Sequence, residues 1–200
     1  MINRKLFYDR IRTALFGGKL SASQVAGMDF ILNVWERGFP GGDIRWLAYA
    51  LATAFHETAK TMQPIQELGG PSYFLKMYDP LSPDPRRAAL ARKNGNTKSG
   101  DGVKYCGRGY VQITWAVNYR NMGLRLGLPL FDKPELALDP DVAAQIMFTG
   151  MTEGAFTGKK LADYFSAKAA DWVGARRIIN STDRATDIAA YGGRFYEALP

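Results

Sequence analysis

The sequence predicts a mainly α-helical fold of two lobes with one small sheet. Apolar residues recur at helical spacing through the first seventy residues and again through most of the chain after residue 115. Alternation of polar and apolar residues, the pattern of a strand, is confined to about residues 110–114. At 200 residues, the chain is long enough to bury a sizeable core in one domain.

A change of composition divides the two lobes. Between residues 71 and 104 the chain is rich in proline, glycine and charge and poor in core residues. We therefore expect residues 1–200 to form a single domain. Its main helical lobe comprises residues 1–70 and 105–200, and a small basic lobe is inserted at about residues 71–104.

Two helices are predicted before the main one. The first spans Asn3–Phe16 and ends at Gly17-Gly18, and the second spans about Ser23–Arg37 with apolar faces. Gly38-Phe39-Pro40-Gly41-Gly42 then breaks the chain.

The third helix is the one around which the chain is organised. Asp43 is a suitable N-cap, and Trp46–Phe55 is a run without a charge that is followed at once by His56 and Glu57. Glu57 ends a helical stripe that is otherwise apolar apart from a threonine. The pattern predicts a buried helix that places a carboxyl group at the edge of the core, where apolar surroundings suit a proton donor.

A second carboxyl group lies ten residues further on. Glu67 is predicted in a loop between Pro64 and Gly69-Gly70, where water solvates it better than Glu57. Two carboxyl groups in contrasting environments are the minimum for hydrolysing a glycosidic bond. The alternative is that both are ordinary surface glutamates whose spacing arose by chance.

The segment after the basic lobe carries several polar side chains. A short strand is predicted in which Tyr110, Gln112 and Thr114 share one face, a pattern that suits the wall of a cleft. Thr114 is then expected to cap a helix carrying Asn118.

The remaining elements are predicted to be helical. A helix begins at Asp139-Pro140, another spans about Lys168–Ile179, and the last spans about Arg184–Leu199. A short basic helix at about Asp84–Lys93, followed by a loop over 94–102, completes the small lobe.

Composition excludes several classes of protein. No apolar run reaches the roughly 18 to 20 residues of a membrane span. With one cysteine and one histidine the chain forms no internal disulfide and no zinc site of the usual ligands, and we expect neither a metal nor a cofactor. The N-terminal helix is amphipathic and unlike a signal peptide, so synthesis in a cytoplasm is expected.

The net charge of +7 is unevenly distributed. Residues 84–108 contain seven basic and two acidic side chains, a net charge of +5 in 25 residues. Such a surface attracts nucleic acid, anionic lipid or an acidic polysaccharide, or is simply a solvated face. We define the basic patch as Arg86, Arg87, Arg92 and Lys93.

Two motifs in this order carry a resemblance to a known family. Ala54-Phe55-His56-Glu57-Thr58 and the stretch YCGRGYVQITWAVNY at residues 105–119 resemble the paired signatures of glycoside hydrolase family 19, the plant-type chitinases, which includes many phage endolysins. Ile178-Ile179-Asn180 and a terminal Arg-Phe-Tyr add to the match. The resemblance covers roughly residues 45–70 and 105–196.

The resemblance implies a lysozyme-like, two-lobed, mainly α fold with a small β-hairpin or sheet beside the active-site cleft. It implies that Glu57 is the general acid, that Glu67 is the best-placed base and that Thr114 orients the attacking water. Gln112 and Asn118 occupy positions that hold the water and the sugar amide in the family, and Asn180 matches the family's late asparagine. Tyr110 and His56 are further candidates for binding the substrate. A structural role is the alternative for His56, and a place in the core for Tyr110.

The layout is most similar to a phage endolysin that hydrolyses β-1,4 bonds between the N-acetyl amino sugars of bacterial peptidoglycan. The basic patch suits an anionic wall. We expect a monomer without nucleic-acid binding or stable membrane insertion. It would be made in the host cytoplasm and act on the wall in the periplasm once a holin-type pore protein releases it. The alternatives are a chitinase, a lytic transglycosylase and an inactive wall-binding or virion protein.

Overall fold

The computed structural model describes residues 1–199 and confirms the predicted fold class. The helices within that range are α1 (Arg4–Leu15), α2 (Ala22–Gly38), α3 (Ile44–Glu57), α4 (Pro71–Tyr78), α5 (Pro85–Lys93), α6 (Asp101–Lys104), α7 (Ala116–Leu126), α8 (Pro140–Glu153) and α9 (Ala185–Ala198). Three short 3₁₀ helices occupy Pro134–Leu138, Leu161–Asp163 and Gly174–Ile178. The strands form two antiparallel pairs, β1 (Ile65–Gln66) with β2 (Arg108–Gly109) and β3 (Phe165–Ser166) with β4 (Ala169–Ala170).

The chain folds as two compact units. The first contains residues 1–63 and the chain from Met147 onward, and the second contains Pro64–Ile146. The first unit is built on α3, whose residues Leu47 to Phe55 are all fully buried, and α3 packs mainly against α9.

The start of α3 confirms the expected N-cap. A carboxylate oxygen of Asp43 accepts a hydrogen bond of 3.0 Å from the backbone N–H of Arg45, and the two side chains also form an ion pair. At the other end, Phe55 packs edge-to-face on Tyr191 and Phe195 of α9. Packing of the apolar run against α9 therefore fixes the position of the last turn of α3, which carries Glu57.

The second unit is held together by buried polar groups as well as apolar ones. The carboxylate of Asp79, which is 2% exposed, accepts hydrogen bonds from the backbone N–H groups of Leu81, Gly100 and Gly102. The buried guanidinium of Arg108 donates to the carbonyls of Lys104 and Cys106 and to the hydroxyl of Tyr119.

The prediction of a strand at 110–114 is wrong. Residues 110–112 form a turn in which Gln112 has a φ of 53°, and Ile113 makes an isolated bridge back to Arg108. The turn folds the chain back on itself, so Tyr110, Gln112 and Thr114 do not form one face of a strand. The expected cap is also wrong, because Thr114 lies before the N-cap, which is Trp115 with a φ of 79°.

The prediction of a helix at 168–179 is wrong as well. The backbone of Ala169–Ala170 pairs with Phe165–Ser166, and only Gly174–Ile178 forms a short 3₁₀ helix. The guanidinium of Arg45 donates to the carbonyls of Ser166 and Ala169 and so stabilises the hairpin. By contrast, the helix expected at Asp139-Pro140 is confirmed, with Asp139 accepting from two backbone N–H groups in the first turn of α8.

Among residues 1–199, none of the helices has the length and apolar character that spanning a membrane requires.

Candidate active site

Glu57 is the last residue of α3, and its carboxyl group has a cationic partner. Oε1 accepts a hydrogen bond of 2.7 Å from Nη1 of Arg176. The Arg176 side chain is 3% exposed and the Glu57 side chain 18%. This corrects the expectation of purely apolar surroundings: Glu57 is at the edge of the core as predicted, but a buried guanidinium orients it.

Arg176 was missed by the sequence analysis. It lies in the 3₁₀ helix Gly174–Ile178, and its Nε donates to the carbonyl of Asp183 at 2.9 Å. Because the guanidinium is planar, these bonds to two different acceptors together fix its orientation. The available signal was a pair of arginines, Arg176 and Arg177, between small and apolar residues in Gly-Ala-Arg-Arg-Ile-Ile, and Arg176 is 119 residues from its partner.

Two other predicted residues belong to the first unit. His56 is half-buried and lines a cavity beside the end of α3. Asn180 is exposed, and its Oδ1 accepts from the backbone N–H of Ser181.

Glu67 lies in the second unit, directly after β1, and is held more firmly than a free loop residue. Its backbone N–H donates to the carbonyl of Gly107 at 2.9 Å. Its Oε1 accepts from the hydroxyl of Tyr78 at 2.7 Å and from that of Tyr73 at 3.3 Å. Burial and the hydrogen bond to the carboxylate raise the pKa of Tyr78 well above its usual value, so that hydroxyl remains a donor at neutral pH.

The polar side chains of residues 112–118 form one hydrogen-bonded chain in the second unit. Asn118 Nδ2 donates to the carbonyl of Thr114, and Thr114 Oγ1 donates to the carbonyl of Gln112. Gln112 Nε2 in turn donates to the carbonyls of Ile65 and Gly109. The structure thus brings Gln112, Thr114 and Asn118 together beside the β1–β2 ribbon.

Gly107 lies where the Glu67 and Gln112 side chains approach the ribbon. A Cβ atom at this position would be 3.0 Å from Gln112 Oε1 and 3.3 Å from both Cβ and Oε2 of Glu67. A larger residue would therefore displace one of the two side chains, and glycine allows both to lie close to the backbone.

Tyr110 belongs to the core. The residue is completely buried, and that burial raises the pKa of its hydroxyl. No face of the Tyr110 ring is exposed for a sugar to stack on, which favours a place in the core over sugar binding. Trp115, in contrast, is half-buried and packs edge-to-face against Tyr78 with ring centroids 5.0 Å apart.

The basic patch lies on α5. Arg86, Arg92 and Lys93 are exposed and Arg87 is half-buried. Nη1 of Arg92 donates to the carbonyl of Pro80. Nε of Arg86 lies 3.6 Å from Oδ1 of Asp84, and 94% of the Arg86 side chain is exposed. In the described part of the chain, no group of three or more histidine, cysteine or acidic residues is placed to hold a metal ion.

Sequence comparison gives a short but clear match. No protein-family model matches the chain. Two Arabidopsis thaliana proteins named endochitinase are each 51% identical over 45 residues, which is 22% of this chain and 16% of the plant protein. The match thus spans about a sixth of the length of these relatives.

Structural comparison extends over the whole chain. A mutant of chitinase C superposes with a TM-score of 0.61 at 17% identity, covering 100% of this chain and 95% of the other. Chitinase C from Streptomyces griseus HUT6037 superposes with a TM-score of 0.59 at 19% identity, and the superposition covers 96% of this chain and 88% of the chitinase. A bacterial family 19 chitinase superposes with a TM-score of 0.58 at 18% identity, and the superposition covers 98% of this chain and 94% of the chitinase. The chain therefore has the lysozyme-like fold of the family 19 chitinases, which confirms the resemblance carried by its two motifs.

Proposed function

We propose that the protein is an inverting glycoside hydrolase that cuts β-1,4 bonds between N-acetyl amino sugars, and that its polymer is bacterial peptidoglycan. The observation that carries the proposal is the carboxyl group of Glu57, presented by a buried helix and oriented by the buried Arg176. A side chain oriented in this way, on a fold whose named neighbours are chitinases, is suited to proton transfer.

In the proposed reaction, the Glu57 carboxylate first takes a proton from water and then donates it to the glycosidic oxygen as the bond from that oxygen to the anomeric carbon breaks. Water attacks the anomeric carbon from the opposite face, and Glu67 accepts the proton that the water loses. The guanidinium of Arg176 stabilises the Glu57 carboxylate that remains after proton transfer. Inversion requires the two carboxyl groups to be roughly 6.5–9.5 Å apart around the substrate, so that the water fits between them.

The surroundings of Glu67 support its role as the base. Two tyrosine hydroxyls donate to Oε1, which leaves Oε2 as the oxygen available for a water proton. Thr114 and Asn118 lie in the same unit, and we propose that the Thr114 hydroxyl turns from the Gln112 carbonyl to orient the attacking water.

Peptidoglycan is favoured over chitin by charge. The wall polymer carries peptide carboxylates, whereas chitin is neutral, and the exposed basic patch on α5 attracts an anionic polymer. Chitin is the second candidate, because the solved structures and the plant relatives are named chitinases.

The proposed biological role is that of an endolysin. The protein would act as a monomer, accumulate in the host cytoplasm and reach the wall in the periplasm after a separate holin-type protein opens the membrane. Neither nucleic-acid binding nor stable membrane insertion is part of this role.

Mass spectrometry of the sugars released from purified peptidoglycan and from chitin tests the proposal. Hydrated disaccharides from peptidoglycan, released by the wild type and by the matched control Glu135→Gln but not by Glu57→Gln, are the expected result. Glu135 is an exposed glutamate, so the control makes the same chemical change away from the site. Anhydro-muramyl ends on the products would instead identify a lytic transglycosylase. Release of sugars from chitin alone would identify a chitinase, and binding to the wall without release of sugars would identify an inactive protein.

A further inference from the structure

The polar cavity that His56 lines at the end of α3 lies in the first unit, and the proposed reaction does not use it. Its volume is about 340 Å³, and it opens between the end of α3 and the start of α9. We call it the cationic pocket, and it is lined by Phe55, His56, Ala59, Lys60, Arg184 and Tyr191.

The lining is rich in positive charge. Lys60 and Arg184 carry permanent charges at neutral pH, and His56 adds an imidazole. Within residues 1–199, the carboxylate of Asp187 forms an ion pair with Arg184 at 3.2 Å from Nη1, and the Arg184 and Asp187 side chains are 64% and 47% exposed. One exposed carboxylate does not balance two cations, so the pocket favours an anion.

The backbone around the pocket is held in an uncommon conformation. Ala59, Lys60 and Arg184 have φ values of 49°, 69° and 55°, in the left-handed region that disfavours residues other than glycine. The turn after α3 is fixed by a 2.8 Å bond from the N–H of Lys60 to the carbonyl of Phe55, and Gln24 Nε2 donates to the carbonyl of Lys60. Such conformations persist where the surroundings enforce them and are concentrated at binding sites.

This turn determines where the ammonium group lies. Nζ of Lys60 is 5.6 Å from the centroid of the Phe55 ring, which in turn packs against the ring of Tyr191 with centroids 4.9 Å apart. The ammonium group therefore lies over the ring of Phe55, which is itself fully buried, and so stays at the pocket.

Two links tie the pocket to the candidate acid. His56 immediately precedes Glu57 on α3. Arg176 donates through Nη1 to Glu57 and through Nε to the carbonyl of Asp183, the residue before Arg184. The same buried guanidinium thus positions both the carboxyl group of Glu57 and the turn that carries a cation of the pocket.

We propose that the cationic pocket binds a carboxylate of the substrate, and that it selects acidic, peptide-bearing amino-sugar polymers over neutral ones. The inference rests on the proposed function, since it identifies the substrate class of the site that contains Glu57. The pocket and the basic patch on α5 consist of different residues: those of the pocket belong to the first unit, and those of the patch belong to the second.

Equilibrium binding of two matched ligands tests the pocket without any turnover. The first ligand is muramyl dipeptide, which carries one free carboxylate, and the second is the same compound with that carboxylate converted to an amide. We expect the wild type to bind the carboxylate form about tenfold more tightly, the size of one charge-assisted hydrogen bond. The preference should diminish at about 0.5 M NaCl, because the pocket is open to solvent.

Variants assign the preference to the pocket. Lys60→Gln combined with Arg184→Gln should reduce the ratio of the two affinities to about one, within error. Lys168→Gln combined with Arg177→Gln, two exposed cations of the same unit, changes the net charge equally and should retain the ratio. Melting temperatures of both double variants establish that they are folded, and the single variant Lys60→Gln should show an intermediate ratio.

Equal affinity of the wild type for both ligands, or an unchanged ratio in the pocket variant, would overturn the proposal. Neither result bears on catalysis, because neither ligand contains the bond that is cut. Conversely, a pocket-dependent preference in a protein that releases no sugars would uphold the pocket while refuting the hydrolase.

Discussion

Replacing Arg176 with methionine removes the partner of the candidate acid while keeping a side chain of similar length. The variant loses two hydrogen bonds, one to the Glu57 carboxylate and one to the Asp183 carbonyl. Breaking a fully buried ion pair costs about 3–5 kcal/mol, and a hydrogen bond to a charged group contributes about 1.5–3 kcal/mol. Because 18% of the Glu57 side chain is exposed, water partly solvates the freed carboxylate, and we expect a loss of about 3 kcal/mol.

Thermal unfolding measures this loss. For a chain of this size a change of 1 kcal/mol shifts the melting temperature by about 2–4 °C, so Arg176→Met should melt about 6–12 °C below the wild type. A double-mutant cycle with Glu57→Gln should give a coupling energy of about 2 kcal/mol. Because Arg176 is buried, the coupling should persist in high salt.

An exposed ion pair serves as the control. Arg194 and Glu197 lie 3.6 Å apart on α9, with 60% and 70% of their side chains exposed. Arg194→Gln should change the free energy of unfolding by less than about 0.5 kcal/mol. A coupling energy between Arg176 and Glu57 below about 0.5 kcal/mol, the limit expected for an exposed pair, would refute the view that the buried pair orients the acid.

Three further predictions concern the rest of the site and its support. Tyr78→Phe removes the 2.7 Å bond to Glu67 and should destabilise the fold by about 1–2 kcal/mol and lower the rate of wall hydrolysis. Gly107→Ala should lower that rate more strongly, since the added Cβ displaces the side chain of Gln112 or of Glu67. Chemical denaturation at pH 7 should give a lower free energy of unfolding for Asp43→Asn than for the wild type. The hydrogen bond from Arg45 lowers the pKa of Asp43 in the folded protein below its ordinary value of about 3.8. The stabilisation that this bond provides is therefore fully present above about pH 3.8, and it is lost as the pH falls through the lowered pKa of the folded state.

Each of these has a matched control or a contrary outcome. Tyr73→Phe removes a longer, more exposed bond to the same oxygen and should have the smaller effect, so an equal loss in both would contradict the assignment. Gly193→Ala adds a Cβ to open space on α9 and should be neutral or slightly stabilising. A stability difference between the wild type and Asp43→Asn that stays constant down to pH 2 would show that the ion pair with Arg45 contributes nothing.

The main helix could be predicted from sequence because local signals agree there. An N-cap aspartate, an uncharged run and helical spacing all indicate the same element, and burial of Leu47 to Phe55 follows from them. The position of Glu57 at the edge of the core was predicted for the same reason.

Of the two elements that were predicted wrongly, one depends on contacts a few residues away and the other on a distant contact. Alternation at 110–114 indicates a strand, but the backbone bonds between Arg108 and Ile113 close a turn that requires a positive φ at Gln112. An alanine-rich segment at 168–179 indicates a helix, but the Arg45 guanidinium stabilises a hairpin there from more than 120 residues away. Local propensity is overridden in both cases by contacts that no local pattern records.

The same limit applies to the candidate site. The types and spacing of Glu57 and Glu67 indicated acid–base chemistry, whereas the partners of each carboxyl group could not be predicted. Arg176 joins Glu57 across 119 positions, and Tyr78 reaches Glu67 from α4. Such pairs are determined by tertiary packing, so only a structure identifies them.

A reaction with Glu57 as acid and Glu67 as base sets the configuration of the first product. Proton NMR of the anomeric signals, recorded within minutes of adding the enzyme to a soluble β-1,4-linked fragment of the wall polymer, reports that configuration before mutarotation. We expect the α anomer to appear first and Glu67→Gln to abolish its formation, because the base activates the attacking water. Initial formation of the β anomer, or product formation that is unchanged in Glu67→Gln, would rule out the two-carboxylate reaction.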